Sequence, residues 1–202
     1  MALALQSRVL NYWYHGAVGA VAKNASLASR IDWFKPPKGS DEYIAEQFKA
    51  DRDAVFQSRL HVDELSQTPR GTLALIILLD QFSRQIYRKS PKAFEADPMA
   101  LSLTKSAIER KFDTQLEPLE RIFMYLPFEH SERLADQERA VQLFTNLVNE
   151  FPEDEFMQLS CQYAVAHAEV IKKYGRFPHR NEILGRVSTA EELQYLADGG
   201  GF

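Results

Sequence analysis

The sequence predicts an all-α protein that folds as a single domain over residues 1–202. Helix-start signals recur along the chain, apolar residues return at helical intervals, and glycine and proline are scattered rather than gathered into a linker. With 202 residues, 45% hydrophobic and 26% charged, the chain can bury a sizeable core. We expect antiparallel helical hairpins packed around one central buried helix.

Several helices begin at a capping side chain followed by proline. This pattern occurs at Thr68-Pro69, Ser90-Pro91 and Asp97-Pro98, where the side chain accepts an orphan backbone N–H and proline at the first helical position loses no hydrogen bond. Ser188, with Glu191 three residues later, has the form of a capping box. These signals predict many helices.

Apolar stripes at helical spacing predict four amphipathic helices. The stripes are Ile44, Phe48 and Val55 within 41–60; Leu101, Thr104 and Ile108 after Asp97; Leu134, Val141, Phe144 and Val148; and Phe156, Leu159, Tyr163, Val170 and Tyr174.

One further segment, Leu73–Leu79, is apolar all round, so we expect the central buried helix there. A buried strand is the alternative for this segment, but Thr68-Pro69 caps it and no second strand-like run lies nearby. We expect a loop at residues 36–39 and a left-handed helix end at Gly175. The glycine-rich tail is predicted to fray from about residue 198.

Composition excludes several functional classes. The net charge of -4 and the isoelectric point near 5.8 do not favour a nucleic-acid partner. The longest strongly apolar run is too short to span a bilayer, so no membrane association is expected. Cys161 is the single cysteine and cannot form an intramolecular disulfide, and the segment 1–8 reads poorly as a signal peptide. A cytoplasmic, reducing location follows as the expectation.

The first candidate constellation follows the central helix and contains Asp80, Gln81, Arg84 and Arg88. A carboxylate near a helix C-terminus opposes the macrodipole, and Arg84 stands four residues on in the favourable acid-then-base order. One interpretation is a buried ion pair that sets the helix register. The other is an anion site in which Arg84 and Arg88 bind bidentately and Asp80 orients one of them.

The second constellation contains Glu129, His130 and Gln137. Pro127 is expected to end or kink the preceding helix, which leaves Glu129 and His130 at a helix junction. Gln137 falls on an apolar face, where its amide needs partners. These side chains either satisfy backbone groups at the helix ends or contribute to a polar pocket.

The remaining candidates lie on and after the last long helix. His167 falls on the apolar stripe, as a hydrogen-bonded core residue or a ligand. Arg176, His179 and Arg180 stand in a loop in which the residue before Pro178 should be extended, and Asn181 is expected to cap a short helix at 182–184. This loop either binds helix ends or adds positive potential to Arg84 and Arg88.

The sequence contains no phosphate-binding glycine loop, no dinucleotide fingerprint and no nucleophile elbow. The histidine spacings match neither zinc proteases nor di-iron bundles. We therefore expect no metal and no cofactor.

Three groups of residues, 79–88, 125–132 with 135–138, and 175–181 with 184–186, together resemble a largely bacterial family designated domain of unknown function 924. The resemblance covers nearly the whole chain. It implies a tetratricopeptide-like right-handed array of helical hairpins and brings no activity with it. The family usually has proline and asparagine where this chain has Ser83 and Gln85, so the central helix is expected to run further here.

Two functions remain open. The first is a binding module with a polar, arginine-rich cleft for a small anion or a peptide, in which Arg84, Arg88, Arg176 and His179 converge. The second is a hydrolase- or transferase-type enzyme that uses the histidines and arginines of the same cleft. The binding module is favoured, because spacing supplies no nucleophile, base and orienting group. The sequence leaves the oligomeric state open.

Overall fold

The computed structural model describes residues 1–15, 33 and 37–202, and this part of the chain is helical and contains no strand. The prediction of an all-α fold is thus confirmed, whereas the tetratricopeptide-like array stays a prediction. The α-helices of the described residues are α1 (Ala2–His15), α2 (Ser40–Ser58), α3 (Val62–Leu65), α4 (Pro69–Ile76), α5 (Ser83–Ile86), α6 (Asp97–Glu109), α7 (Pro118–Glu129), α8 (Leu134–Glu150), α9 (Glu155–Tyr174) and α10 (Ala190–Ala197). A π-helix spans Ile77–Phe82, and short 3₁₀ segments span Pro91–Ala93, Asp113–Gln115 and Pro178–Arg180.

The described residues form two compact units. The first unit comprises Met1–Arg88 and Lys92–Pro127, and the second comprises Lys89–Pro91 and Phe128–Phe202. The single domain over residues 1–202 stays a prediction. Among the described helices, none is both long enough and apolar enough to cross a membrane.

The first unit is built on the segment that follows Thr68. As predicted, the Thr68 hydroxyl caps α4 by accepting from the Gly71 N–H at 3.1 Å. Leu73–Leu79 is buried throughout, which confirms the central position of this segment. Its last three residues belong to a π-helix rather than an α-helix. A π-helix adds residues to each turn, and such segments are frequent at functional sites.

Aromatic side chains pack around this central segment. The Trp33 ring lies 4.9 Å from the Phe123 ring in a T-shaped contact, and Trp13 lies 5.2 Å from Phe123 in a second one. The Trp33 indole N–H donates to the Trp13 carbonyl at 2.8 Å, so the polar edge of a buried ring is satisfied. Phe82, at the end of the π-helix, packs against Phe48 of α2. The predicted stripe of α2 is buried at Ile44, Phe48 and Val55.

In the second unit, α8 and α9 form a helical hairpin whose buried faces differ in part from the predicted stripes. Leu134 is 43% exposed and Tyr163 is 51% exposed, so neither side chain lies in the core. Phe144, Phe156 and Val170 of the same predicted stripes are buried, so the stripes are confirmed in part. The buried residues of α8 and α9 include Gln137, Ala140, Phe144, Leu147, Phe156, Ser160, Ala164 and His167.

Several predicted helix ends are wrong in detail. Residues 90–93 form a 3₁₀ turn rather than an α-helix start, and Asp97 is the first residue of α6 but does not cap it. The capping box before α10 uses Thr189 and Glu192, one residue later than predicted. Pro127 lies inside α7, which ends two residues further on.

Two further expectations concern glycine and asparagine. Gly175 ends α9 in the left-handed conformation, with φ of 69°, as predicted. Asn181 does not cap a helix at 182–184, which is a turn, because its side chain is used by the surrounding polar network.

The glycine at position 71 illustrates how closely the first unit is packed. Alanine in place of glycine normally stabilises a helix interior by about 1 kcal/mol. A Cβ at Gly71 would lie 2.2 Å from the Leu65 carbonyl oxygen. We expect Gly71→Ala to lower the free energy of unfolding by about 1–3 kcal/mol in urea titrations. Ser102→Ala, at an exposed position of α6, is the control and should stay within about 0.5 kcal/mol of wild type. A Gly71→Ala protein as stable as wild type would contradict the close approach.

Candidate functional site

Asp80 and Arg84 form a buried ion pair in the first unit, as the sequence predicts. Asp80 is fully buried, and the Arg84 Nη1 lies 3.0 Å from its Oδ1 atom. The Gln81 amide donates to the other Asp80 oxygen at 2.5 Å. The Arg84 guanidinium also forks onto Asp97, with Nη1 to Oδ1 at 2.9 Å and Nη2 to Oδ2 at 3.0 Å. The carboxylate of Asp97 thus binds Arg84 instead of capping α6.

Arg88 pairs with a carboxylate on another helix of the first unit. Its Nε donates to Asp41 Oδ2 at 2.5 Å, and its Nη2 donates to Oδ1 at 2.9 Å. The Arg88 side chain is 53% exposed, so this bidentate pair is a surface contact. Both guanidinium forks that the sequence proposes for anion binding therefore face carboxylates of the first unit.

A fully buried arginine that sequence analysis missed completes this polar region. Arg52 donates from Nε to the Ser83 hydroxyl at 2.8 Å and from Nη1 to Glu95 at 2.7 Å. Its guanidinium also lies 4.9 Å from the centre of the Tyr87 ring. Ser83 stands where the family resemblance implies proline, and its hydroxyl here is the acceptor of a buried cation. Arg52 falls on the apolar face of α2, four residues after Phe48, which was the available signal.

The second unit brings five of the candidate residues together. We call Glu129, His130, His167, His179 and Arg180 the histidine cluster. His167 is 6% exposed, and its ring centre lies 6.4 Å from that of His130. The Phe177 ring contacts three members of the cluster. Its centre lies 5.5 Å from that of the His167 ring, 5.6 Å from that of the His179 ring and 4.5 Å from the Arg180 guanidinium.

Two acceptors face the same nitrogen of His167. Its Nδ1 lies 2.8 Å from the Tyr163 carbonyl oxygen and 3.1 Å from Glu129 Oε1. This arrangement assigns the ring proton to Nδ1, which leaves a lone pair on Nε2. A carboxylate that orients an imidazole in this way is the arrangement that acid–base catalysts use.

The environment keeps the His167 ring neutral. Burial lowers its pKa to about 3, against the hydrogen bond to Tyr163, which favours the protonated form. The charges of His130, Arg180 and His179 lower the pKa further. Arg180 and, when they are protonated, His130 and His179 therefore place positive charge around His167.

The loop that carries His179 and Arg180 is held by two carboxylates. Glu132 accepts from the Phe177 N–H at 2.8 Å and from both terminal nitrogens of Arg186, at 2.7 and 2.9 Å. Burial alone raises the pKa of Glu132, but Arg186 and the Phe177 N–H outweigh burial and hold the pKa below its ordinary value. Phe177 has the extended backbone expected before Pro178.

Glu192 holds the other end of this loop. Arg176 forks onto it, with Nε to Oε1 at 2.6 Å and Nη2 to Oε2 at 2.7 Å. The Thr189 N–H donates to Oε2 at 2.7 Å, and Asn181 donates to the same oxygen at 3.3 Å. Arg176 foremost lowers the pKa of Glu192 to about 2. Arg176 is thus part of the loop scaffold.

Gln137 supports the helix junction. It is fully buried, and its amide lies 2.6 Å from the carbonyl oxygens of both Glu129 and Ser131. These contacts match the interpretation in which Gln137 satisfies backbone groups at the end of α7. Gln137 therefore supports the main chain next to Glu129 and is not part of the histidine cluster.

The structure brings the candidates together in two separate groups. Asp80, Gln81 and Arg84 form one group in the first unit, and the histidine cluster forms the other in the second. Because Arg84 and Arg88 belong to one unit and Arg176 and His179 to the other, their convergence into one cleft stays a prediction. Within the described residues, no group of three or more His, Cys, Asp and Glu side chains is placed to hold a metal ion.

Comparisons with known proteins agree on one family. Residues 9–200 match the family described as "Bacterial protein of unknown function (DUF924)". The chain belongs to this family. Among solved structures, it is similar to the protein of unknown function ATU0120 from Agrobacterium tumefaciens, with 32% sequence identity and a TM-score of 0.80. That similarity covers 98% of this chain and 100% of the Agrobacterium chain.

No curated protein matches the chain. The family match and the Agrobacterium structure together establish a helical fold and a relationship to bacterial proteins.

Removing the Asp80 carboxylate should unfold the first unit more easily. Asp80→Ala leaves the buried end of Arg84 without one of its two carboxylates, and we expect a loss of about 3 kcal/mol in the free energy of unfolding. Asp51→Ala removes the carboxylate of an exposed pair with Arg8 and should lose less than about 1 kcal/mol. Equal losses in urea titrations of the two variants would contradict the burial of Asp80.

The lowered pKa of His167 predicts a pH dependence of stability. Below the ordinary histidine pKa of about 6.5, the unfolded chain takes up a proton that the folded ring does not, so stability falls as the pH falls toward 3. His167→Gln removes this effect and should make the dependence shallower, by at most about 1.4 kcal/mol per pH unit. Urea titrations between pH 7.5 and 5 measure both slopes. Identical slopes would show that His167 protonates equally well in the folded protein.

Proposed function

We propose that this protein is a binding module whose histidine cluster binds a small anion, a carboxylate in the first place. The observation that carries the proposal is the grouping of His167, His179 and the Arg180 guanidinium around the Phe177 ring, with the His130 ring beside His167. Imidazole and guanidinium N–H groups are donors that suit carboxylate oxygens. Glu129, the carboxylate of the cluster, faces His167 with its Oε1 atom.

The electrostatics of the second unit support an anion at this position. Arg180 and, when they are protonated, His130 and His179 lower the pKa of His167, because their positive charges face its ring. A negative charge bound beside them is stabilised by the same positive charges. It would also raise the pKa of His167, so binding favours protonation of this ring.

Differences in burial indicate which side chains would meet the ligand. His167 and Arg180 are each 6% exposed, whereas His130 and His179 are only half-buried. The two half-buried imidazoles are therefore accessible to an incoming anion, and Arg180 supplies charge from a drier environment, where electrostatic interactions are stronger.

The other candidate arginines are less suited to this role. The forks of Arg84, Arg88 and Arg176 each face an aspartate or glutamate of the protein, at 2.5–3.0 Å. An external anion would have to displace these carboxylates. Among the predicted arginines, the proposal uses Arg180, because its guanidinium lies 4.5 Å from the Phe177 ring and it contributes to lowering the pKa of His167.

A thermal-shift screen with acetate, phosphate and sulfate at constant ionic strength tests the proposal. Wild type should gain stability in proportion to the logarithm of anion concentration. Arg180→Lys should lose most of this gain, because lysine cannot reproduce the planar fork. Arg133→Lys makes the same change on a side chain that is 77% exposed and should retain the wild-type response.

Two outcomes would overturn the proposal. One is the absence of any specific shift in wild type. The other is an equal response of the Arg180→Lys and Arg133→Lys proteins, because the anion would then bind elsewhere.

The pairing of Glu129 with His167 favours a second function, a hydrolase- or transferase-type enzyme. The lone pair on Nε2 could accept a proton from a nucleophile, with Glu129 stabilising the protonated ring. Hydrolysis of small activated esters provides a first test. Turnover should fall at least about a hundredfold in His167→Gln. Equal rates for the two proteins would end this alternative.

We also propose a cytoplasmic location. The single cysteine supports it, because a chain with one cysteine gains no intramolecular disulfide from an oxidising compartment.

A further inference from the structure

The side chain of Phe202 docks into a slot made of three rings. We call the rings of His167, Phe177 and His179 the aromatic slot. The Phe202 ring stacks on His167 with a centre-to-centre distance of 3.5 Å and an angle of 15° between the planes. It meets Phe177 at 6.2 Å and His179 at 6.0 Å, both nearly perpendicular. One face and the edges of the ring are therefore recognised by separate side chains, in geometries that aromatic pairs prefer.

Phe202 sits in this slot as a docked group rather than as part of the core. Its side chain is 49% exposed, whereas Phe177 beneath it is fully buried. Removing Phe202 would therefore leave the slot with its own packing: Phe177 belongs to a buried cluster with Val170 and Ile171.

The segment that carries Phe202 consists of three glycines. Gly199 and Gly201 have φ angles of 84° and 124°, which side chains rarely adopt, and a Cβ on Gly200 would lie 2.4 Å from the Tyr195 ring. The Gly201 N–H donates to the Tyr195 hydroxyl at 3.0 Å. The predicted fraying tail thus folds back along Tyr195. Glycine loses more conformational freedom on ordering than any other residue, so this docking is readily reversed.

We infer that the aromatic slot is a binding slot for the ring of an external ligand and that Phe202 is its intramolecular occupant. This inference rests on the proposed function, because the slot shares His167 and His179 with the proposed anion site. The ligand class that combines both features is an aromatic carboxylate. The slot holds its ring, and the donors of His130, His179 and Arg180 hold its charged group.

Tethering makes Phe202 a competitor of this ligand. A short flexible linker presents its group at an effective concentration in the millimolar range. An external ring must displace it, so the apparent affinity is reduced by the fraction of molecules in which the slot is occupied. Removing the Phe202 ring should therefore strengthen ligand binding, which is the opposite of what the loss of a structural contact predicts.

The experiment uses acetate, phenylacetate and 2-phenylethanol, titrated into the full chain and followed by proton NMR on the imidazole resonances. Phe202→Ala empties the slot, and Phe202→Tyr retains a ring as the matched control. We expect Phe202→Ala to bind phenylacetate about tenfold more tightly than acetate. It should also bind phenylacetate about threefold or more tightly than wild type and Phe202→Tyr do. 2-Phenylethanol, which lacks the charge, should bind more weakly than phenylacetate.

The outcomes separate this inference from the proposed function. If phenylacetate binds Phe202→Ala no better than acetate, the ring slot is wrong while the anion site stands. Equal affinity of wild type and Phe202→Ala for phenylacetate would show that Phe202 is not a competitor. If acetate, phosphate and phenylacetate all fail to bind, the proposed function itself is overturned.

An aromatic carboxylate can be a free small molecule or the end of a peptide. N-acetyl-Gly-Gly-Phe and its C-terminal amide distinguish these sources when they are compared with phenylacetate. A peptide ligand requires the acid to bind at least about tenfold more tightly than both the amide and phenylacetate. A small-molecule ligand requires phenylacetate to bind as tightly as the peptide acid. Equal binding of the acid and the amide would overturn the assignment of a carboxylate ligand.

Discussion

The histidine cluster depends on how two carboxylates, the half-buried Glu132 and the buried Glu192, hold one loop. Glu132 binds the Phe177 N–H and Arg186, and Glu192 binds Arg176, Asn181 and the start of α10. The loop carries several arginines. Without the carboxylates of Glu132 and Glu192, these arginines would repel one another in a poorly solvated environment. With Glu132 and Glu192 in place, Phe177 is buried, and His179 and Arg180 both contact its ring. The strongly lowered pKa of Glu192 reflects how many donors converge on it.

The two units use buried charge in different ways. In the first unit, Arg52 is fully buried and bonds Ser83 and Glu95, while Arg84 binds Asp80 and Asp97. Such pairs set the positions of neighbouring helices, and breaking one leaves an uncompensated charge. In the second unit, Glu192 and Glu132 pair with arginines at the ends of the loop, and the loop between them carries Phe177, His179 and Arg180. Binding chemistry is therefore easier to place in the second unit.

Stacking and burial together explain the unusual state of His167. A ring covered by Phe202 on one face and bordered by His130 and Arg180 has little water to stabilise a positive charge, so the neutral form is favoured. The same features describe a site that would accept a ring and a negative charge together. The structural and the functional interpretations of this histidine thus use the same contacts, and binding measurements rather than geometry separate them.

The sequence by itself determined the helical class, the buried central segment, the Thr68 cap and the Asp80–Arg84 pair. Each of these depends on residues a few positions apart, so local periodicity and capping chemistry suffice to predict them. It also indicated that Glu129, Gln137 and His167 stand on faces where polar groups need partners. That Glu129 faces His167 was outside its reach, because these two residues are far apart in the chain.

Only the tertiary structure decided that Glu129 faces His167, that Glu132 binds Arg186 and that Phe202 stacks on an imidazole. It also decided that Leu134 and Tyr163 of the predicted stripes are exposed while Phe144, Phe156 and Val170 are buried, since burial depends on how two helices pack, a property of the pair rather than of either helix. The π-helix at Ile77–Phe82 has the same origin. An all-apolar segment specifies burial but no preferred face, and the surrounding packing chooses the local winding.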